Sequence, residues 1–395
     1  MKFSTQTVWA IGLISGVVAV ALFFAPVKKT RAQGPEMRAV GQPSTTPWRP
    51  KGQNLNYVGP EACARCHKEE SATQHTTSMG RALEPVETSD VLGNHKLLTF
   101  NSGPYSYKIA RQGNQSIYTV TDGANTLTQP ILYAFGQGKA GQTYLFRSGS
   151  TFYEARVSYY RDTQGLDWTM GYPSSVPPNL EVAAGRALGA DEVHDCFACH
   201  STGGTNGTTT NLEKIIPGVT CEACHGPGGD HIAAMDAKNF KEKKIFNPGK
   251  MSPDEQVQEF CGSCHRSAEQ VASNQGLHGI RSVRFQPYRL FTSKGHDPFD
   301  PRLTCVACHN PHEAPHTDVV YYDAKCLACH LANNDPKTPQ KVKADTDNGR
   351  TASACPVANK DCTTCHMPKV ALPGSHFLFT DHRIRIAKPG DPFPG

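Results

Sequence analysis

"CEACHGPGGDH", residues 221–231, sets two cysteines three apart, a histidine directly after the second, and another histidine six residues on across a glycine-rich bend. Cys-x-x-Cys alone is shared by zinc half-sites, dithiol redox pairs and haem attachment points, and only the neighbours separate these. The same five-residue pattern recurs at Cys63-Cys66-His67, Cys196-Cys199-His200, Cys221-Cys224-His225, Cys261-Cys264-His265, Cys305-Cys308-His309, Cys326-Cys329-His330 and Cys362-Cys365-His366, which uses fourteen of the fifteen cysteines. A histidine after all seven pairs is far beyond chance, so the zinc and thioredoxin readings fail together. The pattern is that of c-type haem attachment.

The chemistry explains the spacing. Two thiols add to the two vinyl groups of haem, and the two residues between them let both sulfurs reach one edge of the macrocycle while the next imidazole turns onto the iron. Seven covalent haems c are therefore expected, with the fourteen cysteines consumed and a disulfide framework excluded. Covalent attachment takes place outside the cytoplasm in bacteria, as the resemblance to c-type cytochromes implies, so an export signal is expected. An uncharged run from Val8 to Val27 precedes Lys28, Lys29 and Arg31 and a small-x-small ending at Ala32. Residues 1–32 read as a signal peptide cleaved after Ala32; the alternative is an uncleaved membrane anchor over residues 8–27, against which stands the unfavourable placement of basic residues. The product is expected to be periplasmic or otherwise extracytoplasmic, touching a membrane only if this segment is retained.

Losing residues 1–32 removes four cations and no acids, so the formal charge of +5 becomes +1. Seven haems bring about fourteen propionates against about one net positive charge per ferric centre, which makes the oxidised holoprotein acidic, so the basic balance is no evidence for nucleic acid. Propionates need cationic partners, and Arg281, Arg284 and Arg289 of "RSVRFQPYR" are a natural supply; an anionic-substrate pocket is the sharper alternative.

Haem density organises the chain. Residues 33–58 read as a linker and 59–94 as a first haem segment. A β-rich insert follows over 95–175, where "HKLLTF", "YSYKIAR", "SIYTVT", "GQTYLFR" and "TFYEARVSYY" alternate and "NSGP", "RQGN" and "TDGAN" supply turns. A three-haem segment spans 176–289 and a C-terminal three-haem module 290–395. The expected fold is mostly α and irregular, a multihaem cytochrome c fold whose core is porphyrin, with a small inserted antiparallel β-sheet.

Ten histidines lie outside the motifs, more than seven irons need as distal ligands. The candidates are His231 and His312, each just past a motif, then His376 and His382 in "SHFLFTDH", then His75, Met79 and His296. His95 is the expected bystander, and His194 is poorly placed to reach the far face of the haem beside it. Cys355, left over in "ACPVANKDC", reads as a buried free thiol, with iron ligation or an intermolecular disulfide as the alternatives.

In order and spacing, "CARCHKEESATQHTTSMGRAL", "DCFACHSTG", "GVTCEACHGPGGDH" and "FCGSCHR" resemble the four haem segments of the cytochrome c-554 family, over residues 59–268. The resemblance implies electron transfer, a distal-ligand role for His231, and an open coordination site on the haem of Cys196 and Cys199. Where the family carries a distal histidine after the first haem, this chain has Met79, with His75 one turn earlier. The three further motifs resemble paired-motif modules of larger multihaem cytochromes.

Two functions are expected to compete. One is an electron carrier working between periplasmic or membrane-bound redox proteins, with self-association through exposed haems as a further possibility. The other is a multihaem oxidoreductase acting on a small nitrogen or sulfur compound at one open iron. No residue is assigned a catalytic role.

Overall fold

A computed structural model of the chain describes residues 56–293, 296, 302–328, 330, 355, 357–388 and 390–394. The export segment, most of the linker and Cys329 lie outside the described residues.

The alternating segments form strands: β1 (Leu83–Glu84), β2 (Leu97–Ser102), β3 (Tyr105–Gln112), β4 (Gln115–Thr121), β5 (Thr126–Phe135), β6 (Thr143–Ser148), β7 (Thr151–Ala155), β8 (Val157–Tyr160), β9 (Gly165–Trp168) and β10 (Gly185–Ala187). One antiparallel sheet runs β10-β7-β6-β5-β4-β3-β2, with β1 paired to the far end of β5, while β8 and β9 make a separate hairpin. Period-two burial sets the register: Tyr107 faces Val120 and Ile109 faces Tyr118, all four buried. The turn between β3 and β4 falls on Gly113 at φ 57°, a conformation that costs glycine little. A register shift between Ile131 and Tyr133 bends β5, so that one half pairs with β4 and the other with β6.

The expectation of a mostly helical chain with a small sheet is corrected here. The sheet is the largest regular unit among the described residues, and it is not confined to the insert. Its main hydrophobic cluster takes Val86, Val91 and Leu92 from the first haem segment and Ala183 and Ala184 from the segment beyond. A second cluster joins Leu83, Phe135 and Leu145 of the sheet to Leu188, Val193 and Phe197. Val193 and Phe197 belong to the helix Ala190–His200, which carries the second haem motif, so this cluster bolts that motif onto the sheet. Each fully buried aromatic contributes about 2–3 kcal/mol to the docking. Neither cluster includes a residue beyond Ile215 among those described. The stretch with five of the seven motifs buries Val257, Val271, Val283, Phe285 and Leu290 outside these clusters and is also tied by polar contacts between distant segments.

Some of those contacts tie motif to motif. Glu222, inside the third motif and 1% exposed, accepts hydrogen bonds from the backbone N–H of Val58, Gly59 and Gly228, at 2.9, 2.8 and 2.7 Å. The start of the first motif is thereby fixed to the third. Nearby, Val219 N–H donates to the Met79 carbonyl, and a Cβ on Gly218 (φ 79°) would fall 1.9 Å from the Gly80 carbonyl oxygen. Only glycine lets the two backbones meet there. Asp323 of the helix Val319–Leu327 accepts from the N–H of Asp361 and Cys362, joining the sixth motif to the seventh.

Candidate haem centres

The described attachment motifs lie in helical turns or at helix ends, such as Cys221–His225, Cys305–Cys308 and Cys362–His366. His67, His309 and His330 each donate their backbone N–H to the first cysteine of their own motif, at 2.9, 3.0 and 2.9 Å. Side chains three and four apart share one helical face, so a single turn brings two sulfurs and an imidazole to the same side. Sulfurs of different motifs then meet in pairs: Cys63 with Cys221, Cys199 with Cys264, and Cys261 with Cys305. The attachment edges of the first and third, second and fourth, and fourth and fifth motifs are neighbours.

Three imidazole pairs fit an iron. Ring centres lie 6.4 Å apart for His67 and His231, 6.0 Å for His225 and His312, and 6.2 Å for His309 and His382. An iron midway between two imidazoles, with bonds of about 2.0 Å and about 1.1 Å from nitrogen to ring centre, needs about 6.2 Å. Each pair joins a motif histidine to one from another part of the chain. Among the described residues no group of three or more His, Cys, Asp or Glu converges on a common point.

Hydrogen bonding fixes the tautomers. Nδ1 of His225 donates to the Phe246 carbonyl at 2.9 Å, Nδ1 of His231 to that of Lys243, and Nδ1 of His382 to that of Thr380 at 3.0 Å. His200 and His366 do the same towards the carbonyls of Ala82 and Arg385, both at 3.0 Å. A carbonyl only accepts, so Nδ1 carries the proton and Nε2 keeps its lone pair for a metal. Burial lowers the pKa of His200, His225, His265, His309 and His382, the last to about 4, which keeps these rings in the neutral, metal-binding form.

Other histidines are turned the opposite way. His376, expected as a ligand, has its Nε2 2.8 Å from Asp167 Oδ2 and its ring against Tyr160, so the nitrogen that would meet an iron is spent on a carboxylate. His194 and His278 give Nε2 to the carbonyls of Gly207 and Val271. His95 has Nδ1 2.8 Å from the Val91 carbonyl and its ring against Tyr159. His75 is exposed with Nδ1 on the Ser71 carbonyl, and His296 packs on Phe291; neither forms a paired-ring arrangement with a motif histidine among the described residues. The Met79 carbonyl serves the seam to Val219, and its side chain is only partly buried.

Two further expectations are corrected. Arg289 is not available to a propionate, because its buried guanidinium grips Asp381 through two bonds of 2.8 and 3.0 Å. Cys355 is exposed rather than buried. Arg284 does fit an anion: its Nε is buried without a hydrogen-bond partner, and burial and the charges of Arg281 and Arg266 lower its pKa. At the second motif the ring beside His200 is Phe135, edge-on at 5.4 Å, and no imidazole faces it among the described residues.

The family of cytochrome c554 and c-prime matches residues 178–226, which contain the second and third motifs. Multiheme cytochrome MtrA of Shewanella baltica (strain OS185) is 28% identical over 199 residues, 47% of this chain and 48% of that protein. Cytochrome c-554 of Nitrosomonas europaea is 32% identical over 135 residues, 30% of this chain and 56% of that protein. The chain thus spans about half the length of the curated relatives it matches. Among solved structures, the outer cell wall cytochrome OcwA is similar over 53% of this chain and 37% of its own, at 23% identity and a TM-score of 0.32. No helix among the described residues is long and apolar enough to cross a membrane.

Proposed function

We propose, from the premise that this chain is a multihaem c-type cytochrome homologous to cytochrome c-554 and to MtrA, that it is an exported carrier of single electrons. Seven covalent haems, mainly with two histidine ligands each, pass electrons between periplasmic or membrane-bound redox proteins. In this reading the porphyrins are the core of the C-terminal half, residues 1–32 direct export, and exposed haems allow self-association.

The observation that carries the reading is the set of three facing imidazole pairs. An iron held on both sides has no position for a substrate, so it exchanges electrons only across its edge. The sulfur pairs support short steps between haems, and His312, three residues past the proximal His309 yet facing His225, supports neighbouring third and fifth haems. The chain's own residues hold the ligands neutral and oriented.

A second reading, an oxidoreductase acting on a small nitrogen or sulfur compound, rests on one site. His200 has Phe135 beside it, and the nearby His194 is tied to Gly207, which favours an open iron at the haem of Cys196 and Cys199. The groups around it offer little for proton delivery beyond Asp195. Assay of hydroxylamine, nitrite and tetrathionate with artificial donors and acceptors separates the two. Carriers are expected to turn over well below about 1 per second while all haems reduce rapidly; fast turnover of any one substrate overturns the carrier.

A further inference from the structure

We propose that His382 is the sixth ligand of the haem attached at Cys305 and Cys308, and that the buried Arg289–Asp381 pair is the device that sets it there. The inference needs haem attachment but not the carrier reading, since an enzyme would use the same ligand.

The ring of His382 is centred 6.2 Å from that of the proximal His309. Its Nδ1 is committed to the Thr380 carbonyl at 3.0 Å, and the Tyr322 hydroxyl lies 3.5 Å from Nδ1 of His309, so both Nε2 atoms are left for the space between. Ligation across such a distance in sequence requires the segment carrying His382 to be held from outside itself.

It is held on both sides. The residue before it, Asp381, receives Nε and Nη2 of Arg289 in a two-pronged grip, and both side chains are fully buried. Asp381 also accepts from the Arg383 N–H at 3.0 Å and from Arg385 Nη1 at 2.6 Å. Arg289 has further partners in the Pro394 carbonyl, at 2.8 Å, and the face of Phe393, 4.4 Å from its centre. On the other side, Ser293 Oγ donates to the His382 carbonyl at 3.2 Å and accepts from the Ile384 N–H at 2.8 Å. Arg289 and Ser293 lie at the helix Gln286–Phe291 and just beyond it, so one short stretch grips residues 381–384 at two points.

A buried ion pair is weak evidence for stability, because desolvation offsets most of its attraction; its best-attested use is to fix register. Here the register it fixes is that of one imidazole. The same strap goes on to the seventh motif, where the Arg385 carbonyl accepts from Nδ1 of His366 at 3.0 Å and the Ala387 N–H donates to the Cys365 carbonyl at 3.0 Å. Residues 381–387 therefore supply a ligand to one haem and orient the proximal ligand of another.

The test uses the full-length holoprotein with His382→Gly. With seven haems confirmed by pyridine haemochrome, one more ferric haem than in the parent is expected to be high-spin by electron paramagnetic resonance, and added imidazole is expected to restore it. An unchanged spin count at full haem content overturns the ligand assignment. If His382→Gly does not mature, His382→Met keeps a ligand in place, and the thioether–ferric charge-transfer band with a raised potential at one haem is expected; absence of both overturns it. Asp381→Asn tests the positioning role. A mixed spin state at one haem, reversed by imidazole, is expected, whereas an unchanged low-spin spectrum, whatever the melting temperature, overturns it. None of these readouts depends on substrate turnover or on electron delivery to a partner.

Discussion

The imidazole of His312 lies 6.0 Å from that of His225, with only 8° between the ring planes. His225 belongs to the third haem motif and His312 to the stretch after the fifth, so a residue from the C-terminal part faces one from the middle of the chain. The arrangement is interleaved rather than appended. On the proposed ligation, each iron shared between two segments would add a cross-link to a region whose buried apolar residues, such as Val257, Val271 and Val283, form no cluster with the sheet.

Replacing His312 with alanine is expected to turn one haem from low-spin to high-spin while the haem count stays at seven. His231→Ala should do the same at the first motif, where its ring faces His67 at 6.4 Å. The double variant should show two high-spin haems by magnetic circular dichroism, because the two pairs share no ligand. A spin count that does not change in either single variant contradicts the pairing.

Glu222 is predicted to be a keystone of the first and third motifs. Its carboxylate is the acceptor for three backbone N–H groups, so Glu222→Ala strands three donors and should cost about 3 kcal/mol or more in denaturant unfolding, followed at the Soret band. Glu222→Gln keeps one acceptor oxygen and should cost about half as much. Equal stability of the two variants would mean that the carboxylate contacts contribute little.

Alkaline pH should loosen the sheet. Tyr118 and Tyr144 are fully buried, and burial holds their pKa well above the ordinary value of 10.0. A group whose folded pKa is raised stabilises the fold fully below its unfolded pKa and loses that contribution as pH climbs towards the folded one, at about 1.4 kcal/mol per unit. The denaturation midpoint of the sheet by far-ultraviolet circular dichroism is therefore expected to fall above about pH 10. Tyr118→Phe gives up the hydrogen bond to the Ala184 carbonyl, a loss of about 1 kcal/mol at neutral pH, and should flatten the alkaline slope.

What could be read from the sequence was what is local. Each attachment motif needs one helical turn, and the longer strands of the insert announced themselves by alternation, so "SIYTVT" became β4 with Ser116, Tyr118 and Val120 inward. The closeness of His231 to a haem motif could be anticipated, whereas the identity of that motif could not. What escaped depends on partners far away. His376 looked like a ligand because Asp167, 209 residues earlier, is invisible as its neighbour. Arg289 looked like a propionate partner because Asp381 is 92 residues on. The sheet outgrew its expected bounds for the same reason: two-residue β1 and three-residue β10 carry no periodic signal, and only pairing to β5 and β7 makes them strands. Nothing in the sequence marks Glu222, inside its Cys-x-x-Cys, as a carboxylate that serves three backbone donors.

The most direct test of the carrier account is carbon monoxide binding to the fully reduced holoprotein, counted against total haem. Imidazole on both faces of an iron excludes the gas; among the described residues His67, His225 and His309 each face a second imidazole, whereas His200 has Phe135 edge-on beside it. The account, with most haems held between two imidazoles, predicts carbon monoxide at fewer than half of the haems; binding at four or more of the seven would contradict it.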